Sequence, residues 1–478
     1  MPGFEPVIGL EVHVELRTRS KMFCGCSADF GAPPNTHVCP VCLGLPGALP
    51  VVNRQAVVYA MRAALALHGN IAEETSFDRK NYHYPDLAKG YQISQYQHPI
   101  STGGHLDVVR PDGSVLHVRL RRLHMEEDTG KSLHEGVPAG SSGVDFNRAG
   151  VPLIEIVMEA DVHSPEDARL TLQTLRTVVL YTGVSDVRME EGSLRCDANV
   201  SLRPEGTTAF GTLVEIKNMN SFRSVQRALE YEVTRQSGIL GEGGRVARET
   251  RHWDERRGIT FSSRSKEEAD DYRYFPEPDL GALKVERAWV AAVAATMPEL
   301  PGSRRERYVG AGLSAYDAGV LVEDPPLADY FDAVVAAGVA ARSACSWLTV
   351  ELLGRLNGRG EAIGGSKVGP EALAALIRLI EQGTISAKIG KDVLDAMVAE
   401  GGDPEAIVRA RGLTQISDEG ALAQAVRDVL GANATVVADF KSGKDKAFGF
   451  LVGQVMKATR GQANPGLVNT ILRKELES

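Results

Sequence analysis

The segment Val7-Ile8-Gly9-Leu10-Glu11-Val12-His13-Val14-Glu15-Leu16 alternates between apolar and polar side chains. In an extended strand successive side chains point to opposite faces. Leu10, Val12, Val14 and Leu16 therefore share one face, and Glu11, His13 and Glu15 the other. Leu194–Arg203 repeats the pattern, with Leu194, Cys196, Ala198, Val200 and Leu202 opposed to Arg195, Asp197, Asn199, Ser201 and Arg203. Strands with one polar face suit an antiparallel sheet covered on one side only.

Helical signals interleave with these strands. Ser164-Pro165-Glu166-Asp167 supplies an N-cap, a first-turn proline and two acids that suit the helix dipole. Asn53–His68 reads as a helix closed by Gly69, and Ser221 opens another with Phe222, Val225, Leu229 and Val233 at helical spacing. Pro278 and Pro301 punctuate the chain on either side of a boundary expected near residue 295. Beyond it the pattern is amphipathic and helical: Ala328–Ala337, Pro370–Gln382, Ile389–Glu400, then Asp445–Thr459 and Pro465–Leu476 after a turn at Gly401–Pro404.

The chain has 478 residues, enough for about three domains at roughly 100–200 residues each. Its 43% hydrophobic and 24% charged residues are globular proportions, which exclude a disordered tail. A net charge of −9 argues against a generic nucleic-acid coat, yet one local basic patch suffices for an RNA contact. No apolar run approaches the ~18–20 residues that span a bilayer, and the N-terminal residues carry no secretory pattern. The expected location is the cytoplasm, with no membrane partner.

Two carboxylates and an imidazole on one strand face can converge on a cation. Further acids lie in Arg121–Asp128 and Val187–Glu191, and Glu215 and Lys217 flank Ile216. A sheet surface mixing acids, arginines, an asparagine and a lysine is costly to bury without a charged ligand. Acids holding Mg²⁺ and arginines holding phosphate would satisfy it. On pattern alone a metal–nucleotide site and a solvated surface stand level. A Walker A loop ending at Gly130-Lys131-Ser132 would need glycine at Met125, and no G-x-G-x-x-G follows a strand. Protease, glutaminase and G-x-S-x-G nucleophile signatures are absent.

Cys24 and Cys26, then Cys39 and Cys42, place four thiols in two close pairs. In a reducing compartment that spacing favours a structural zinc over four inert cysteines, and four sulfur ligands would leave zinc no open position. Cys196 and Cys345 read as core residues. Residues 441–478 hold seven basic and three acidic side chains, a net of +4. That excess fits an RNA backbone contact or a solvated helix face.

Several separated strings are distinctive together: Val7–Leu16, Phe77–Tyr82 with Tyr84–Asp86, Tyr91–Gln95, Leu123–Asp128, Asp145–Glu155, Glu190–Asn199, Asp271–Asp279 and Gly449–Met456. The chain resembles, from its first strand to its last helix, the B subunit of the glutamine-dependent aspartyl/glutamyl-tRNA amidotransferase. The resemblance implies an α+β fold. Its first part would be a mainly antiparallel-sheet cradle of glutamine-synthetase-like type over residues 1–295, binding ATP, Mg²⁺ and the aminoacyl end and carrying the zinc. An all-α domain over 296–405 and a small helical tail over 406–478, contacting tRNA, would follow. It implies a carbon–nitrogen ligase that phosphorylates the side-chain carboxylate of Glu-tRNA(Gln) or Asp-tRNA(Asn) with ATP and Mg²⁺. Ammonia released by the amidase (the A subunit), in a heterotrimer that also holds the small C subunit, would then give the amide.

Carried over by motif, Glu11, His13 and Glu127 are the expected Mg²⁺ ligands, with Glu126 and Asp197 as further candidates. Alternation leaves open which of Glu126 and Glu127 shares a face with Glu11. Arg195, Asn199 and Lys217 would meet phosphate or the aminoacyl end, Arg195 and Lys217 binding ATP. Lys457 and Arg460 would touch tRNA. His83 and Ala88 depart from the residues usual in the family and affect local loop geometry only. Two other functions share part of the pattern. A small-molecule carboxylate–ammonia ligase would not need the basic tail, and a zinc-bearing tRNA scaffold would not need the metal face.

Overall fold

Strand β1 (Phe4–Glu15) runs through the middle of a sheet of 13 strands among the described residues. The structure, a computed structural model, describes residues 3–133, 137–138, 140–265, 272–413, 419–442, 444, 446–459 and 462–477. The other strands on the main path are β2 (Asp78–Asn81), β3 (Tyr91–Ser94), β4 (Val115–Glu127), β5 (Pro152–Met158) and β6 (Leu194–Pro204). They are followed by β7 (Val214–Lys217), β8 (Glu249–Asp254), β9 (Ile259–Ser265) and β10 (Phe275–Pro276). From edge to edge the order is β9-β8-β7-β6-β1-β5-β4-β3-β2-β10. Every neighbouring pair on this path is antiparallel except β7 with β8.

The apolar side of β1 is sealed: Leu10, Val12 and Val14 are fully buried. Three helices, α1 (Arg54–Ala66), α2 (Pro165–Thr182) and α3 (Phe222–Gly241), place Val57, Met61, Leu172, Leu175, Val225 and Leu229 in the same core. Each such side chain contributes about 1.5–3 kcal/mol on burial. The helix starts follow the caps. Asn53 accepts the amide of Gln55, Ser164 that of Asp167 and Ser221 that of Ser224. The end of α1 differs from the sequence reading. His68, not Gly69, takes the left-handed conformation, with φ of 57°. Gly69 is needed for close approach instead, because a Cβ there would lie 2.3 Å from the Ser101 hydroxyl.

The chain forms two compact units, Met1–Pro301 and Gly302–Ser478. All strands among the described residues lie in the first. The second is helical and holds two separate apolar cores. One gathers Tyr308, Phe331, Leu348, Ile377 and Met397; the other gathers Leu422, Leu451, Val455 and Leu472. The helices expected there occur at Pro325–Ala336, Pro370–Glu381, Ala387–Glu400, Lys446–Ala458 and Pro465–Glu477. Cys196 and Cys345 are buried core residues. No helix among the described residues is long and apolar enough to cross a membrane.

Because Leu10 is enclosed at the sheet–helix interface, Leu10→Ala is expected to destabilise the first unit by about 2–5 kcal/mol. Denaturant unfolding followed by far-UV circular dichroism checks this, and an unchanged midpoint would contradict the burial.

Candidate active site

Strand register decides which charged groups meet. Directly opposed residues share a face. Glu11 lies opposite Asp197, His13 opposite Arg195, and Gly9 opposite Asn199. On its other side His13 faces Glu155, which in turn faces His124, while Leu153 faces Glu126. One polar face thus collects residues from β1, β4, β5 and β6. His13 Nε2 is 3.5 Å from Glu126 Oε1 and 3.6 Å from Glu155 Oε2. His124 Nε2 is 3.1 Å from Glu155 Oε2. His13, Glu126 and Glu155 each present a donor atom within 4.8 Å of the others, so the three could hold one cation.

The remaining expected residues fall into two groups. Asn199 donates from Nδ2 to Glu11 Oε1 at 2.7 Å. Lys217 pairs with Asp197 and lies 3.5 Å from Glu215. Arg195 donates to Asp128 at 2.8 Å and reaches Glu15 at 3.8 Å. All of these belong to the polar face. Glu127 does not. One residue further along β4, it points to the other side, where the Ile93 amide donates to it at 2.9 Å and Lys89 pairs with it. Beside it lies a cavity of about 150 Å³ lined by Lys21, Cys24, Cys42, Lys89, Tyr91 and Glu127. The face question that alternation left open is answered by Glu126.

Glu155, His124 and Lys80 were not among the expected site residues. Glu155 did carry a signal, as the only charge in the apolar run Pro152–Met158. Lys80 lies 5.0 Å from the Tyr272 ring, and Tyr274 stacks on Tyr96 at 4.1 Å with Arg122 over the latter.

The electrostatics show crowded acid. Burial pushes the Glu11 carboxyl up, and the Glu155 and Glu215 carboxylates add to it. Burial also raises Glu15, with the Asp128 carboxylate beside it, to about 8. Burial opposes the Asp128 charge, but Arg195 and Arg148 outweigh it and hold that carboxyl at about 2. Glu155 is likewise buried, yet His124 and His13 keep it well below the usual carboxylate range. Two atoms test whether a bound group fits: the buried Asn199 Oδ1 and His124 Nδ1 have no hydrogen-bond partner among the described residues. An unsatisfied acceptor next to clustered carboxylates suits a cation or a donor-bearing ligand.

The cysteine group is assembled as spacing suggests. The four cysteine sulfurs lie within 4.8 Å of one another, so they could hold a metal, and none is in a disulfide. The Cys39 amide donates to Cys42 Sγ at 3.1 Å, and the buried Lys21 ammonium lies 3.7 Å from the same sulfur. A hydrogen bond from the Cys24 thiol, acting against burial, brings Cys42 down to about 4, the thiolate form that binds metal. In the second unit Lys457 is exposed on the helix Lys446–Ala458. Arg460 lies outside the described residues.

The pH dependence of Glu15 is testable. Its folded value near 8 exceeds the ordinary 4.5, so the folded chain holds more protons than the unfolded one between these values. Its contribution to stability therefore falls as pH rises across that window and is constant outside it. With metal chelated, Glu15→Gln should melt like the wild type below pH 4.5 and above it at pH 8.5. Equal melting temperatures at both pH values would refute the shift.

Comparison with known proteins identifies the family. The family described as the GatB/GatE catalytic domain matches residues 6–291, and the GatB domain matches residues 329–476. The chain is 55% identical over 479 residues to the B subunit of the aspartyl/glutamyl-tRNA(Asn/Gln) amidotransferase of Brevibacillus brevis, covering 100% of both chains. It is 56% identical over 475 residues to that of Moorella thermoacetica, covering 99% of this chain and 100% of the relative. For the Carboxydothermus hydrogenoformans protein the identity is 54%, over 100% of this chain and 99% of the relative. With both family regions matched and identity above half along the whole length, the chain belongs to the family of aspartyl/glutamyl-tRNA(Asn/Gln) amidotransferase B subunits, components of an amide-forming enzyme.

Proposed function

We propose that the polar sheet face activates the side-chain carboxylate of Glu misacylated on tRNA(Gln), or Asp on tRNA(Asn), by phosphorylation from ATP, and supports its amidation. The convergence of His13, Glu126 and Glu155 on one face carries this reading. A carboxylate is a poor acyl donor, and phosphorylation makes its oxygen a leaving group. An oxygen of the substrate carboxylate attacks the γ-phosphorus and ADP departs. Ammonia then attacks the acyl carbon, inorganic phosphate departs, and a proton is released from nitrogen. Ammonia would come from the amidase, or A subunit, of a heterotrimer completed by the small C subunit. The absence here of a glutaminase signature is consistent with that division of labour.

His13, Glu126 and Glu155 would hold Mg²⁺, with Glu11 beside them; Glu127, on the other side of the strand, is outside this set. Bound there, Mg²⁺ would offset charge on the phosphate oxygens. Arg195 and Lys217 bring permanent positive charge to the same face, suited to phosphate. Asp197 sets the position of Lys217, and Asn199 that of Glu11. The four-cysteine group would bind zinc in a structural role, since four sulfurs complete its tetrahedron. The first unit would be a cradle of glutamine-synthetase type. The chain would act in the cytoplasm, with the segment after about residue 405 contacting tRNA through Lys457 and Arg460.

The test uses the chain purified with its amidase and small subunits, supplied with glutamine, Mg²⁺ and ATP. ADP release should be strongly stimulated by Glu-tRNA(Gln). His13→Ala or Glu155→Gln should lower it by at least ~100-fold, the scale lost with a principal electrostatic group. Turnover indifferent to tRNA, or stimulated by a free amino acid, would replace this reading with a small-molecule carboxylate–ammonia ligase. Lys457→Glu should weaken tRNA binding and flatten its salt dependence while leaving the melting temperature unchanged; filter binding across a salt series measures it.

A further inference from the structure

A second cluster of metal-ligating side chains lies outside the polar face. The strand His105–Val109 pairs with the first half of β4, placing Asp107 directly opposite His117. His105 is two residues from Asp107 and so on the same face. The Asp107 carboxylate reaches both imidazoles, whose rings lie 4.5 Å apart with planes at 33°. Its Oδ1 is 2.7 Å from His117 Nδ1, and its Oδ2 is 3.9 Å from His105 Nε2. One donor atom from each of the three residues lies within 4.8 Å of the others.

The backbone under this cluster is anchored. Leu106, Val108 and Val118 are buried on the opposite face, and the His105 amide donates to the Leu67 carbonyl at 2.9 Å. The His68 ring, presented from the end of α1, stacks on His105 at 4.4 Å with planes 11° apart, which limits rotation of that ligand. The arginine opposite His105 on the neighbouring strand, Arg119, is engaged elsewhere. It donates through both Nε and Nη2 to Asp161.

We propose that His105, Asp107 and His117 form a surface site for a first-row transition-metal dication, Zn²⁺ being the probe. Two imidazoles and one carboxylate are the donor set of a borderline cation; with nitrogen the majority donor, the set disfavours Mg²⁺ and Ca²⁺, which take mainly oxygen ligands. Three protein ligands on a partly exposed strand pair leave coordination positions to water. The ion would therefore exchange readily, unlike one enclosed by four cysteines. In its absence the His117–Asp107 hydrogen bond occupies the same geometry.

The experiment is equilibrium dialysis of the full-length chain against about 1–100 µM free Zn²⁺, a range set for micromolar binding, with bound metal counted by mass spectrometry. The wild type should bind one equivalent more than the His105→Ala/His117→Ala double variant. Asp107→Asn should bind that equivalent roughly tenfold or more weakly. An excess of Mg²⁺ should not displace it. Circular dichroism establishes that the double variant is folded; if it is not, Asp107→Asn, which keeps the side-chain volume, decides alone. Equal zinc content and affinity in wild type and variants, or displacement by Mg²⁺, would overturn the proposal and leave a hydrogen-bonded histidine–aspartate pair.

Discussion

The antiparallel pairing of β1 with β5 on one side and β6 on the other is the constraint on which the site depends. Burial of Leu10, Val12 and Val14 fixes which face of β1 turns inward. A one-residue slip would send these to solvent and Glu11 and His13 into the core, so the apolar face holds the register of the polar one. Burial that stabilises the fold therefore also positions the chemistry. His13 stays on the face that Glu155 shares because a slip by an odd number of residues would expose apolar side chains, and the observed register sets the two directly opposite.

That arrangement concentrates carboxylates. Glu11, Glu15, Glu126, Glu155, Asp197 and Glu215 occupy one surface, and only some pair with a permanent cation: Asp197 and Glu215 have Lys217, and Glu15 shares Arg195 with Asp128. The remainder are held by histidines or pushed toward their protonated forms. A surface of this kind is unfavourable in isolation and becomes favourable when a multivalent cation and a phosphate-bearing ligand arrive together. The unsatisfied Asn199 Oδ1 belongs to the same pattern.

The other side of the sheet is organised differently. Glu127, next in sequence to Glu126, turns toward Lys89 and the cavity that the cysteine cluster helps to line. Two adjacent glutamates thus serve separate environments, one among histidines and one beside a lysine. Lys21 links the same region to the cysteines, donating to the carbonyls of His37 and Phe146 as well as approaching Cys42. A buried ammonium beside the Cys42 thiolate offsets part of its negative charge.

The amino-acid sequence by itself determined the two amphipathic strands Val7–Leu16 and Leu194–Arg203, the helix starts at Asn53, Ser164 and Ser221, and the grouping of Cys24, Cys26, Cys39 and Cys42. Each of these rests on near-neighbour periodicity, local capping or spacing, which one segment encodes without reference to another. Its distinctive strings also pointed to the family. It did not separate Glu126 from Glu127, because alternation within β4 gives two opposite faces but not which of them meets β1. It did not bring Glu155 and His124 to His13, or His117 to Asp107 and His105, because those meetings depend on which strands pair and in what register. Register is a property of two strands and of the core beneath them. Only the tertiary structure, by burying one face of the whole sheet at once, decided it.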